Sequence, residues 1–157
     1  MLEKDKLYIC FHKPKTVLGL LISLRTLGKY SHCELIYNDY VYLSNPGGVR
    51  IKPFIYKDNM DIFELDSHIE IPIVLEEFKK LKGKGYDYWA IFLSQLLELG
   101  IEHKDKYFCS ELCLHLINKG LDDSLTYNLK TLKANQFSPS KLYKYLKDME
   151  LLGRKVE

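Results

Sequence analysis

A thiol becomes a nucleophile when its thiolate is stabilised, and a helix N-terminus and a nearby histidine are two common devices for doing so. Cys109 has the first of them. It follows the aromatic pair Tyr107-Phe108 and opens an apolar helical run with Leu112 and Leu116, so its sulfur is expected near the positive end of the helix dipole. Cys113, one turn further on, reads as core. Cys10 in a first strand and Cys33 in a second both read as inert. Among five histidines, His32 stands out because it begins a strand after Lys29-Tyr30-Ser31, where its ring can project from the sheet edge toward a helix end. Cys33 alternates with it and so takes the other face of that strand. His12 follows a strand and precedes a proline, His68 and His103 fall in polar connections, and His115 lies on the helix that Cys109 starts, so these four read as surface or core. Glu34, two residues after His32, shares its face and is placed to orient an imidazolium from behind. The competing reading of Glu34 is a carboxylate at the rim of the sheet.

Metal binding is the rival use of the same atoms. Cys109, Cys113 and His115 are closely spaced, and His32 with Cys33 adds two more donors, but there is no C-x-x-C pair and no H-E-x-x-H. On a helix Cys109 and Cys113 share a face while His115 points away, so a closed zinc site is not expected and the purified protein should be metal-free. No G-x-x-x-x-G-K-[ST] and no G-x-G-x-x-G is present, which leaves phosphate-cradling nucleotide chemistry without support.

The elements that must position these residues can be read from period. Leu7–Phe11 is a short apolar run bounded by charge and reads as a strand. From Lys15 to Leu27 the residues Val17, Leu18, Leu20, Leu21, Leu24 and Leu27 recur at spacings of three and four, with Gly28 as the stop, which predicts a helix with one buried face. His32–Tyr37 and Tyr40–Leu43 flank the turn-prone pair Asn38-Asp39 and predict a β-hairpin. Val49–Ile51 and Met60–Leu65 complete an antiparallel sheet of about five strands. Beyond Leu65 the period becomes helical. Ile73, Leu75, Phe78 and Leu81 form one side of a helix ended by Gly83 and Gly85, and further helices are predicted over Tyr88–Leu99 and Cys109–Lys119. Ser138-Pro139 opens the last helix, with Leu142, Tyr143 and Leu146 as its buried face. Gly153–Glu157 reads as a frayed end.

The chain of 157 residues is 46% apolar and 28% charged, with five prolines and nine glycines, so it belongs with globular domains. At that length roughly 68 to 70% of the unfolded surface can be removed from water, and no disulfide or metal staple is needed. Twenty-three basic residues against 21 acidic ones leave a formal charge of +2, without a basic stripe, which argues against nucleic acid as a partner. The longest apolar stretch, Val17–Leu24, is far shorter than the ~20 residues of a membrane span. The MLEKDK start lacks the features of a secretory signal, so a reducing, cytoplasmic setting is expected. With no internal repeat and no Pro- or Ser-rich linker, residues 1–157 read as a single α+β domain, strands first and helices after.

Five short motifs then stand in a telling order: SHCEL at 31–35, GGVR at 47–50, KGYDYW at 84–89, FCSEL at 108–112 and FSPSKL at 137–142. In this the chain resembles the circularly permuted branch of the NlpC-type papain-like hydrolases, the YiiX-like group, over about residues 7 to 146. That branch places its histidine strand before its cysteine helix, as here. The resemblance implies a papain-like sheet packed against helices, Cys109 as nucleophile, His32 as general base and no cofactor. Many relatives carry the third polar residue on the strand after the base histidine, where this chain has Tyr42-Leu43-Ser44-Asn45. Glu34 is therefore the first choice for that role, with Ser44 or Asn45 as the fallback, and Tyr86 and Asp87 match a supporting motif. The implied chemistry is acyl transfer through a Cys109 acyl-enzyme. Substrates in the superfamily include amide and peptide bonds, notably of cell-wall peptides, and lipid esters in the lecithin retinol acyltransferase-like branch. A thioesterase or acyltransferase directed at lipids, and an inactive binding module of the same fold, are the alternatives.

Overall fold

Strands of β-branched, aromatic and aliphatic residues pair into one antiparallel sheet of six, five of them before the helices over 71–81, 109–120 and 139–148 and one after them. The computed structural model describes residues 2–16, 19, 20, 23, 24, 28–85, 108–121 and 138–156. The strands are β1 (Leu7–His12), β2 (His32–Tyr37), β3 (Tyr40–Asn45), β4 (Gly48–Pro53), β5 (Met60–Leu65) and β6 (Leu152–Val156), in the spatial order β4-β3-β2-β1-β5-β6. Helices α1 (Ile71–Leu81), α2 (Cys109–Gly120) and α3 (Pro139–Asp148) lie between β5 and β6 in the sequence. The fold class is α+β, as the pattern of strands followed by helices predicts.

Local chemistry sets the turns. Asn38 and Asp39 both take positive φ, 46° and 64°, which matches the twist that a two-residue hairpin loop requires and that these side chains tolerate best after glycine. Tyr37 consequently faces Tyr40 across the hairpin. Gly48 also has positive φ, and a Cβ there would sit 2.6 Å from the carbonyl oxygen of Lys84, so only glycine lets the backbones after α1 and at the start of β4 approach so closely. At the start of α3 the Ser138 hydroxyl accepts from the N–H of Lys141 at 3.2 Å, and Pro139 occupies the first turn, the cap that the sequence predicts.

The two faces of the sheet have different jobs. Leu7, Ile9 and Phe11 of β1 and Cys33 and Leu35 of β2 point toward the helices, where they pack with Phe78, Leu112, Leu116, Ile117 and Leu142 in the main core. The opposite face gathers Tyr8, Cys10, Ile36, Val41, Leu43, Met60 and Ile62, with Phe54 from the β4–β5 connection laid against them. That connection starts beside the hairpin turn, where the Phe54 N–H donates to the Asp39 carbonyl. It ends at Met60, opposite His12 at the other end of the sheet, so it crosses this second face along its length.

Three expectations need correction. The end of the chain is not frayed: Leu152–Val156 forms edge strand β6 on β5, and its mostly exposed residues conceal the alternation by which a strand is normally recognised. β1 runs one residue further than expected and includes His12. Of the helix expected over Lys15–Leu27, the described residues 19, 20, 23 and 24 are helical, yet Leu20 and Leu24 are 51% and 61% exposed and so do not belong to a buried face. The rest of that helix, the helix expected over Tyr88–Leu99, and Tyr86 and Asp87 lie outside the described residues. No helix among the described residues is long and apolar enough to cross a membrane.

Candidate active site

The site forms at the end of the sheet where β1 stops and β2 starts. Antiparallel register sets His12 opposite His32 and Cys10 opposite Glu34. Cys10, His12, His32 and Glu34 therefore share the second face, by the two-residue period of each strand. Glu34 is 6% exposed and sits between the two imidazoles. Its Oε1 lies 3.0 Å from His12 Nε2 and its Oε2 lies 3.6 Å from His32 Nε2. The rings themselves are 5.2 Å apart between centroids.

Cys109 arrives from the other side. Rungs between β2 and β3 run only from Leu35–Tyr42 to Tyr37–Tyr40, so His32–Glu34 is laddered to β1 beyond the last β3 rung. Helix α2 lies against both β2 and β3. Its first residue, Cys109, is 1% exposed, and the sulfur meets the His32 ring, the Cys33 thiol and the Cys33 backbone N–H. The Phe108 N–H donates to Glu111 Oε2 at 3.3 Å, which ties down the first turn, and the Leu112 N–H donates to the Phe108 carbonyl. Cys109 is thus held at the positive end of a helix of 12 residues.

The electrostatics follow from that geometry. Burial disfavours a thiolate at Cys109, but the Cys33 thiol, the charge and hydrogen bond of His32 and the Cys33 N–H outweigh it, so the thiol is held well below its ordinary range. Burial likewise opposes a charge on His32. The Cys109 thiolate and the Glu34 carboxylate prevail and raise it to about 10. Glu34, which burial alone would push up, is brought down to about 2 by hydrogen bonds from His12 and His32. An imidazolium between a thiolate and a carboxylate is the state this arrangement favours. Cys33 and Cys10 go the other way: burial pushes both thiols up, and at Cys10 the neighbouring Glu34 carboxylate adds to it.

The segment that leads into His32 is fixed by a buried carboxylate one strand away. Asp61, almost wholly buried, accepts from the Tyr30 hydroxyl at 2.8 Å and pairs with Lys13, Lys29 and Lys155 at 3.1, 3.0 and 2.8 Å. The Tyr30 N–H donates to Ser140 Oγ and the Ser31 N–H to the His12 carbonyl. Burial would raise the Asp61 carboxyl, but its four donors hold it well below the usual range. Its contribution to stability is therefore present above the unfolded carboxylate pKa and lost as the pH falls. Asp61→Ala orphans the Tyr30 hydroxyl and is expected to cost about 2–3 kcal/mol. That is a fall in Tm of roughly 5–10 °C at neutral pH, narrowing toward zero below pH 3 in thermal melts taken across the pH range.

Each predicted site residue can now be placed. Cys109, His32 and Glu34 come together. Ser44 is wholly buried and, by the register of β3, faces the helices rather than Glu34. Asn45 Oδ1 has no hydrogen-bond partner among the described residues. His12 is a correction: it is no bystander after a strand but the closest partner of Glu34. Its signal was the parity of Cys10 and His12 against Leu7, Ile9 and Phe11, which becomes informative only once β1 is known to pair with β2. Cys33 is also more than inert packing, because its backbone and thiol both touch the Cys109 sulfur. Cys113 is core as expected, and His115 makes a partly exposed 3.0 Å bond to Glu77. Compared with known proteins, the chain matches no family model and no curated protein.

Proposed function

We propose that this chain is a cysteine hydrolase of the permuted papain-like type, acting on an amide or peptide bond through an acyl-enzyme on Cys109. The observation that carries the reading is the meeting of the Cys109 sulfur, at the start of α2, with the His32 ring and the Cys33 N–H. The order of motifs, histidine strand before cysteine helix, supports it. The His32 proton balance fits both half-reactions. The thiolate attacks the carbonyl, the N–H groups at the helix start hold the developing oxyanion, and the imidazolium protonates the leaving amine. Neutral His32 then takes a proton from water, which releases the acid and restores the thiolate. With Nε2 of His32 toward Glu34, Nδ1 is the nitrogen left for the sulfur. His12, one residue removed from the reacting atoms, acts as a positioning residue by holding Glu34.

The test is selective alkylation. All four cysteines are buried, so exposure does not discriminate among them and the thiolate fraction does. Iodoacetamide at about pH 6 is expected to label Cys109 at least tenfold faster than Cys10, Cys33 or Cys113, as read by peptide mapping over time. Equal labelling of all four, or faster labelling of another, removes the nucleophile and the function with it.

A further inference from the structure

The mechanism leaves one nucleophilic group on the second face unused. Cys10 is fully buried directly behind Glu34, and its sulfur, a His12 ring nitrogen and a Glu34 carboxylate oxygen all lie within 4.8 Å of one another. We propose that Cys10, His12 and Glu34 form an inhibitory binding site for a zinc-class divalent ion, set back to back with the Cys109–His32 pair.

Three features of the structure argue for this occupant. The donors are one sulfur, one nitrogen and one oxygen, a mixture that suits zinc and its neighbours and excludes magnesium and calcium. Tetrahedral bonding to zinc brings such donor atoms to about 3.3–3.6 Å from one another. The His12–Glu34 pair is already at 3.0 Å, so small side-chain rotations close the set, with water completing the fourth position. The site also has rigid walls, because Cys10 and Glu34 are opposed on adjacent paired strands and His12 is two residues from Cys10 on the same face. Tyr8, Ile36, Met60 and Ile62 supply an apolar surround. This is a different donor set from the Cys109, Cys113 and His115 grouping that the sequence argued against.

Binding is a proton exchange. The ion takes the place of the Cys10 thiol proton, which goes to solvent, while His12 binds through Nε2 as the neutral ring with its proton on Nδ1 and Glu34 binds as the carboxylate it already is. Its consequence for Cys109 rests on the function proposed above: a carboxylate bonded to the ion no longer balances the charge of His32, and the thiolate becomes less favourable.

Two measurements separate this site from that reading. Cobalt(II) added to the Cys109→Ala protein is expected to produce a sulfur-to-cobalt absorption band that saturates at one equivalent and is displaced by zinc. The band is expected to vanish in Cys10→Ala/Cys109→Ala and to need at least tenfold more cobalt in His12→Gln/Cys109→Ala. No band in Cys109→Ala, or a band that survives loss of Cys10, overturns the site whatever Cys109 does. Cys10→Ser serves in place of Cys10→Ala should the latter fail to melt cooperatively. In the otherwise native protein, zinc is expected to slow alkylation of Cys109 at least tenfold, and Cys10→Ala to abolish that protection while leaving the zinc-free rate unchanged. Equal protection in Cys10→Ala places the ion on Cys109 and His32 instead and overturns the inhibitory role.

Discussion

Glu34→Gln is expected to lower turnover by up to about 10⁴-fold, the loss that removal of the orienting acid produces in the serine-protease template, while the fold is retained. The reason lies in where the charge sits. Glu34 is 6% exposed and is brought down to about 2, so it is ionised at every working pH and faces His32 as a fixed negative charge. Glutamine keeps the volume and one acceptor but removes that charge, and the imidazolium that must form opposite Cys109 loses half of its compensation. Because the folded pKa lies below the unfolded one, the carboxylate also stabilises the fold above about pH 4.5 and stops doing so as the pH falls toward 2. The variant should accordingly lose part of the acid-induced destabilisation of the wild type. Ser44→Ala and Asn45→Ala are expected to change turnover less than about tenfold, since Ser44 faces the helices, the Asn45 side-chain oxygen makes no hydrogen bond among the described residues and neither carries charge. The comparison uses any amide or ester that the wild type cleaves, with each variant's melting temperature checked. Should Asn45→Ala or Ser44→Ala abolish turnover while Glu34→Gln retains it, the orienting group lies on β3 and Glu34 is only a buried structural acid.

His32→Ala is expected to cut the rate of Cys109 alkylation at about pH 6 by 10²–10³-fold, because each unit by which the thiol pKa rises removes about tenfold of the thiolate. The imidazolium is a full positive charge that acts directly on the sulfur. Without it, the Cys33 thiol, the Cys33 N–H and the helix terminus remain, and burial opposes them. The pH profile gives the sharper reading. Wild-type alkylation is expected to vary little across neutral pH, since His32 and the Cys33 thiol and N–H hold the Cys109 thiol well below its ordinary range. In His32→Ala the rate should instead climb close to tenfold per unit of pH. A flat profile in both proteins assigns the thiolate to the Cys33 groups and the helix terminus without His32. A steep profile in both shows that no thiolate forms at neutral pH in the wild type, and the acyl-transfer reading falls.

Much of this arrangement was legible from the chain because it rests on local chemistry. Asn38-Asp39 dictates the tight hairpin, Ser138-Pro139 dictates the start of α3, and the apolar period from Cys109 onward makes that residue the first of a helix whatever lies around it. The two-residue period of a strand likewise places Glu34 on the face of His32 without any knowledge of the sheet. What the chain alone could not decide was which strands are neighbours, since pairing depends on contacts between residues far apart in sequence. Only the pairing of β1 with β2 makes His12 the partner of Glu34, and only it puts Cys10 behind that carboxylate. The end of the β2–β3 ladder at Leu35–Tyr42, short of Cys33, has no signature in either strand. The edge strand β6 was hidden for a related reason: an edge buries little, so its residues obey no hydrophobic alternation, and the ion pair from Lys155 to Asp61 that helps to hold it joins positions 94 residues apart (155 − 61). Sequence fixes what a few consecutive residues can do, whereas the charge state of Cys109 is settled by the His32 ring, the Cys33 thiol and the Cys33 N–H, which the chain brings beside it only on folding.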